Sequence, residues 1–243
     1  MEALSPRPLA RSINWYVLSE VLLLGGTATL LLAKWLRGHL AFYIHPRYIP
    51  LMVVAAVILL LMAAVRLRAA YEVDGPQRPG WGSLLLAIPL LFGVLVPAQP
   101  LGASSLPNRG IESSPANSAV GRNLQLDGDT STWNLLEWST ALSMRGDELD
   151  GKPADVVAFV FQDAKLGGDS FYAVRYVVTC CAADGAGVGL PVRWAGGDAL
   201  PEDSWVRVRG TIATETINGT PQPVIIAAAV EPVDQPANPY LYP

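Results

Sequence analysis

The sequence is poor in the residues from which most active sites and disulfide scaffolds are built. It has two cysteines, adjacent at positions 180 and 181, so neither has a third thiol to pair with and no disulfide framework exists. It has two histidines, His39 and His45, both far from the cysteines in sequence. No C-x-x-C, phosphate-loop or zinc-protease motif occurs. Gly185-Ala-Gly-Val-Gly189 has the wrong spacing for a dinucleotide loop, and Pro191 follows where a phosphate-cradling helix is needed. Its glycines are expected to form a flexible turn. Asp147, Glu148 and Asp150 form a polar turn with no partner for acid–base work. Nothing here is a catalytic constellation, and the protein is not expected to be an enzyme.

Charge is scarce as well. Only 16% of the 243 residues are charged, against 51% hydrophobic. With a mean hydropathy of +0.32, the chain is too apolar for an ordinary soluble protein. The halves differ in sign: residues 1–97 carry a balance of +4 and residues 98–243 a balance of −8. That division suggests a basic membrane part and an acidic soluble part. The acidic part excludes a nucleic-acid surface, which needs clustered Lys and Arg.

Three apolar runs, at about 15–36, 48–65 and 81–97, supply transmembrane spans and define a membrane domain over 1–97. The first is too long for a secretory signal and ends in the interfacial Lys34-Trp-Leu-Arg37. It contains Glu20, a carboxylate that either snorkels to the headgroups or meets a partner helix. The third contains Pro89, tolerated where neighbours re-satisfy the freed carbonyl. With the N-terminus inside, inside segments carry Arg7, Arg11, Arg66, Arg68 and Arg78, and outside segments carry Lys34, Arg37, Arg47 and Arg109. The balance points to a multi-pass protein of the cell membrane, in contact with its lipids, with an extracytoplasmic soluble domain.

Residues 98–131, rich in Ser, Gly, Asn, Pro and Asp, read as a flexible linker. The soluble domain follows over 132–243. Its first element is an amphipathic helix at 132–144, capped by Ser131 or Thr132. Five strands are expected at 155–161, 171–180, 188–194, 205–212 and 223–230, with Asn218-Gly219 as a hairpin turn. In the fourth, Val206, Val208 and Ile212 share one face and Arg207, Arg209 and Thr211 the other. The fold class is therefore α+β: N-terminal transmembrane helices plus a small C-terminal β-barrel of the oligonucleotide/oligosaccharide-binding (OB) type.

The candidate site is the end of the second strand. Period two would place Cys180 inward and Cys181 on the opposite face, beside Arg175 and Thr179. Two readings stand side by side. The cysteines are small buried hydrophobes, or they form a ligand-binding site with Asp184 and Arg175, with Cys180 and Cys181 as ligands of a soft metal ion or metalloid.

Five segments together resemble a bacterial family of membrane permease subunits, the YcgQ type. They are Tyr43-Ile-His-Pro-Arg-Tyr48, Pro89-Leu-Leu-Phe-Gly-Val-Leu-Val-Pro97, Arg175-Tyr-Val-Val-Thr-Cys-Cys-Ala-Ala-Asp184, Trp205-Val-Arg-Val-Arg-Gly-Thr211 and Asn238-Pro-Tyr-Leu-Tyr-Pro243. The resemblance runs from about residue 15 to the C-terminus. It implies a partner, an integral permease of the family that includes organoarsenical exporters. It also implies a role as accessory subunit, with a tethered β-domain that contacts substrate or partner. Relatives carry a His-rich loop between the second and third spans; here residues 72–80 contain no histidine. The rival readings are a membrane-anchored thiol oxidoreductase using Cys180 and Cys181, and an assembly factor without chemistry of its own.

Overall fold

A computed structural model describes residues 14–69, 80–112, 126 and 128–243. The N-terminal segment with Arg7 and Arg11, most of the 72–80 loop and the middle of the 98–131 stretch lie outside the described residues. The chain forms two units, residues 1–40 with 46–98, and residues 41–45 with 99–243.

The first unit is helical. Helix α1 (Trp15–Leu36) starts at Asn14, whose side chain accepts hydrogen bonds from the Tyr16 and Val17 amides. Helix α2 (Ile49–Ala69) is apolar on every side and ends in Arg66 and Arg68. At about 1.5 Å per residue both reach the roughly 30 Å of a bilayer core, and their 18-residue windows have mean hydropathies of 1.7 and 2.7. Only 11% of each window is buried, so these surfaces need an apolar surrounding. Helix α3 (Trp81–Leu95) is shorter and contains Pro89. Glu20 lies 3.7 Å from Arg66 on α2, so its partner helix is in the same chain. Helices α1 and α3 meet through small residues. A Cβ on Gly26 would sit 2.8 Å from the Leu90 side chain, and one on Gly93 would sit 2.5 Å from Leu30. The ascending register of these two contacts means that α1 and α3 run parallel.

The second unit is a seven-stranded sheet with a helix against it. After the short α4 (Leu106–Arg109) and β1 (Ile111–Glu112) come α5 (Leu135–Arg145), β2 (Pro153–Phe161), β3 (Ser170–Val177) and β4 (Ala186–Arg193). The hairpin β5 (Trp205–Ile217) and β6 (Thr220–Pro232) follows, and then β7 (Tyr240–Leu241). Strand β3 pairs antiparallel with β2 and β4, β5 pairs antiparallel with β2 and β6, and β4 pairs parallel with β6. The β5–β6 turn uses Asn218 and Gly219 at φ +52° and +81°, the backbone that an Asn-Gly hairpin turn requires.

Several sequence expectations change. Helix α5 begins later, because Asp129 caps a short turn at Thr130–Thr132 and the chain re-extends before Asn134. Asn134 and Glu137 then exchange a capping box, and Ser131 and Thr132 cap nothing. Strand β3 stops at Val177, short of the cysteines. Gly187 and Gly189, expected in a flexible turn, lie within β4. Added Cβ atoms there would stand 2.9 Å from the Gly110 carbonyl and 2.8 Å from the Ala173 carbonyl. Glycine is needed there for close backbone approach.

The supposed linker changes most. Residues 99–112 belong to the β unit. Ala103 and Leu106 are buried in a cluster with Phe159, Val174, Tyr176, Val178 and Tyr240, and the Tyr176 hydroxyl donates to the Gly102 carbonyl at 3.0 Å. These small apolar residues cover a sheet face that would otherwise meet water. The main core lies on the other side, where Trp138, Leu135 and Leu136 of α5 pack on Val156, Ala158, Val160 and Val192.

The β5 phase sets a test. Val206, Val208 and Ile212 are buried, while Arg207 is exposed and paired with Asp155 at 2.7 Å. A bulge falls between Arg209 and Gly210, where an added Cβ would collide with the Ile226 carbonyl oxygen. Gly210→Ala is therefore expected to cost more than about 2 kcal/mol, and Arg207→Ser less than about 1 kcal/mol. Denaturation midpoints of the detergent-solubilised protein measure both, and equal losses would contradict this strand register.

Candidate functional site

The last ladder bond of β3 passes from the Val178 amide to Leu241 of the terminal strand at 3.0 Å. Beyond it the chain turns, and one side chain sets the turn. The Asp184 carboxylate accepts hydrogen bonds from the amides of Thr179 (3.0 Å), Cys180 (2.7 Å) and Cys181 (3.3 Å). A strand would send those amides to alternate sides; here they converge. The thiols therefore do not point to opposite faces, and their sulfurs lie 3.6 Å apart. Nor is Cys180 the inward one: it is exposed and Cys181 half-buried. The reading as two buried hydrophobes loses its basis.

The rest of the turn is held from outside the soluble sequence. The His45 amide donates to the Cys180 carbonyl at 3.0 Å, and the Ala182 amide donates to the Tyr43 carbonyl at 2.8 Å. Ile44 and Cys181 form an antiparallel bridge. The His45 ring packs on Tyr242 at 4.4 Å, and the Tyr240 hydroxyl donates to the Phe42 carbonyl at 3.0 Å. On the far side the Arg109 guanidinium donates to the carbonyls of Ala183 (3.2 Å) and Gly185 (2.7 Å). Sequence reasoning missed both holds. Nothing local announces that the connection after α1 pairs with residue 181, or that an arginine in a polar stretch closes this turn.

Arg175, expected beside the thiols, serves a different place. Its guanidinium donates to the carbonyls of Asn238 (2.6 Å), Pro239 (3.2 Å) and Tyr240 (3.4 Å) and lies 5.5 Å from the Trp205 ring centre. Burial lowers its pKa to about 10. It fastens the C-terminal segment onto the sheet.

Electrostatics at the turn follow from the same hydrogen bonds. Partial burial would raise the Asp184 carboxyl, but hydrogen bonds from the Cys180 thiol and the three amides outweigh it and hold the group below its ordinary value. The Cys180 thiol is pushed up to about 11, first by its hydrogen bond to Asp184 and then by its contact with Cys181. Both cysteine sulfurs and an Asp184 oxygen lie within 4.8 Å of one another. Two sulfurs 3.6 Å apart are placed as a single ion at about 2.3 Å from each would require, at a near-tetrahedral angle. Asp184 has already engaged both oxygens with amides, so it positions the pair, and the two sulfurs are the donors on offer.

Removing Asp184 is accordingly expected to act on the thiols first. In Asp184→Ala the alkylation rate of Cys180 at pH 8 should rise by about tenfold or more, as its pKa falls back towards the ordinary range. Because the carboxyl pKa is depressed, its stabilisation is present above the unfolded value of about 3.9 and lost as pH falls through the folded value below it. Site-resolved alkylation read by mass spectrometry checks the rate, and an unchanged Cys180 would contradict the hold.

Two family models cover this architecture. The one described as DUF1980 C-terminal domain matches residues 122–243, and the one described as DUF1980 N-terminal domain matches residues 20–112. The chain is also 25% identical, over 91% of its own length and 97% of the relative's, to a protein of Streptococcus mutans serotype c. That protein bears the name "Putative two-component membrane permease complex subunit".

Proposed function

The chain belongs to the DUF1980 family, and we propose that it is the accessory, non-catalytic subunit of a membrane permease, presenting its Cys180–Cys181 turn to the transported substrate or to the permease. The observation that carries this reading is the Streptococcus mutans relative, matched over nearly the full length of both chains and named for a permease complex. The substrate class that suits two sulfurs 3.6 Å apart is a thiophilic metal ion or metalloid. The raised Cys180 thiol disfavours the rival oxidoreductase reading, since an attacking thiolate needs a lowered pKa.

The proposal includes three spans and an OB-like barrel. Residues 41–45 and 99–243 share one unit, so the chain between them crosses the bilayer an even number of times. Helix α2 is one crossing and α3, parallel to α1, supplies the second. The Lys/Arg balance, five inside against four outside, supports an orientation with the shared unit outside the cytoplasm. For the barrel, the supporting fact is that the pairings β2–β3–β4–β6–β5–β2 form a circuit, the neighbour relations of a five-stranded closed sheet.

Native purification of the tagged protein, with elemental analysis, tests the role. A polytopic membrane protein is expected to co-purify, with a soft ion or metalloid that is lost in Cys180→Ser/Cys181→Ser while the partner stays. Purification without any membrane partner would refute the subunit reading. For the topology, alkaline phosphatase fused after Pro97 should be active, since that enzyme matures only outside the cytoplasm. Inactivity there, with an active fusion after Gly38, would remove the third span.

A further inference from the structure

The membrane unit carries a groove that the permease reading does not use. It runs beside the α1–α3 crossing, has a volume of about 640 Å³, and is lined by Gly26, Leu30, Leu90 and Gly93, with Lys34 and Arg37 at one end. Along α1, from Gly26 to Arg37, it extends about 17 Å at roughly 1.5 Å per residue. That space is long and apolar enough for an extended hydrocarbon tail.

The ends of the groove differ in character. Its body is apolar, no carboxylate lines it among the described residues, and His39 lies beside the two basic side chains. Those cations sit at the C-terminal end of α1, next to exposed Trp35, where an interfacial aromatic marks the headgroup level. A tail in the body would leave its own phosphate at the cations. We propose that this groove is a binding site for one anionic phospholipid, with a tail between α1 and α3 and its phosphate at Lys34 and Arg37. The proposal rests on the reading of α1 and α3 as membrane spans.

The test uses the full chain in detergent, supplied with equal phosphatidylglycerol and phosphatidylcholine, and counts retained lipids by native mass spectrometry. Wild type should retain one phosphatidylglycerol in preference to phosphatidylcholine. Lys34→Gln/Arg37→Gln should weaken that retention on the order of tenfold and remove the preference. Val94→Trp, which fills the groove, should retain neither lipid, and Arg47→Gln, outside the groove, should behave as wild type. Equal retention of the two lipids by wild type, or an undiminished preference in the double variant, would overturn the site. Extraction of the chain from membranes by alkaline carbonate would instead overturn the spans themselves, which separates the two failures.

Discussion

The arrangement of the candidate site depends on one carboxylate. Asp184 draws three successive amides onto its oxygens, and this ends β3, reverses the chain and sets two sulfurs side by side. Amides of an edge without partners would cost free energy if left buried and unpaired. Satisfying them with one anion also fixes the direction in which the side chains leave. The thiol pair follows from the backbone, and the raised Cys180 pKa follows from the same anion. The raised Cys180 thiol stays protonated until a ligand displaces its proton, so uptake of a thiophilic ion there would release a proton and strengthen with pH.

The turn is completed by segments far from it in sequence. Residues 43–45 belong to the connection between α1 and α2, yet they complete the hydrogen bonding of the cysteine turn. Arg109, at the end of α4 and 14 residues beyond α3, closes the turn from the other flank. The sulfurs thus sit where the connection between α1 and α2 and the end of α4 both reach the turn.

What the sequence disclosed and what it hid divide along a physical line. Apolar runs announced α1 and α2 because length and hydropathy are local, and Asn218-Gly219 announced the β5–β6 hairpin because positive φ at both positions is nearly a property of the dipeptide. The alternation of Val206, Val208 and Ile212 against Arg207 and Arg209 was readable for the same reason. The grouping of Cys180, Cys181 and Asp184 was legible in the sequence, but not its geometry. Strand period two misplaced both thiols, since the turn is made by a hydrogen bond from five residues away. Residues 99–112 looked like a tether by composition, yet Ala103 and Leu106 fill a hollow that only the folded sheet creates. Arg175 looked like a neighbour of the thiols by sequence and was claimed by the C-terminal carbonyls. Contacts over 60 or more residues have no local signature.

On the proposed reading, a permease subunit presents an ordered pair of thiols on the outer side of the membrane to a thiophilic ligand. Labelling of intact cells with a membrane-impermeant maleimide, with and without zinc or trivalent arsenic, tests it most directly. The account predicts that Cys180 labels from outside at high pH and that the ion protects it, with protection lost in Cys181→Ser. Thiols that label only after the cells are opened, or that label equally with and without the ion, would contradict it.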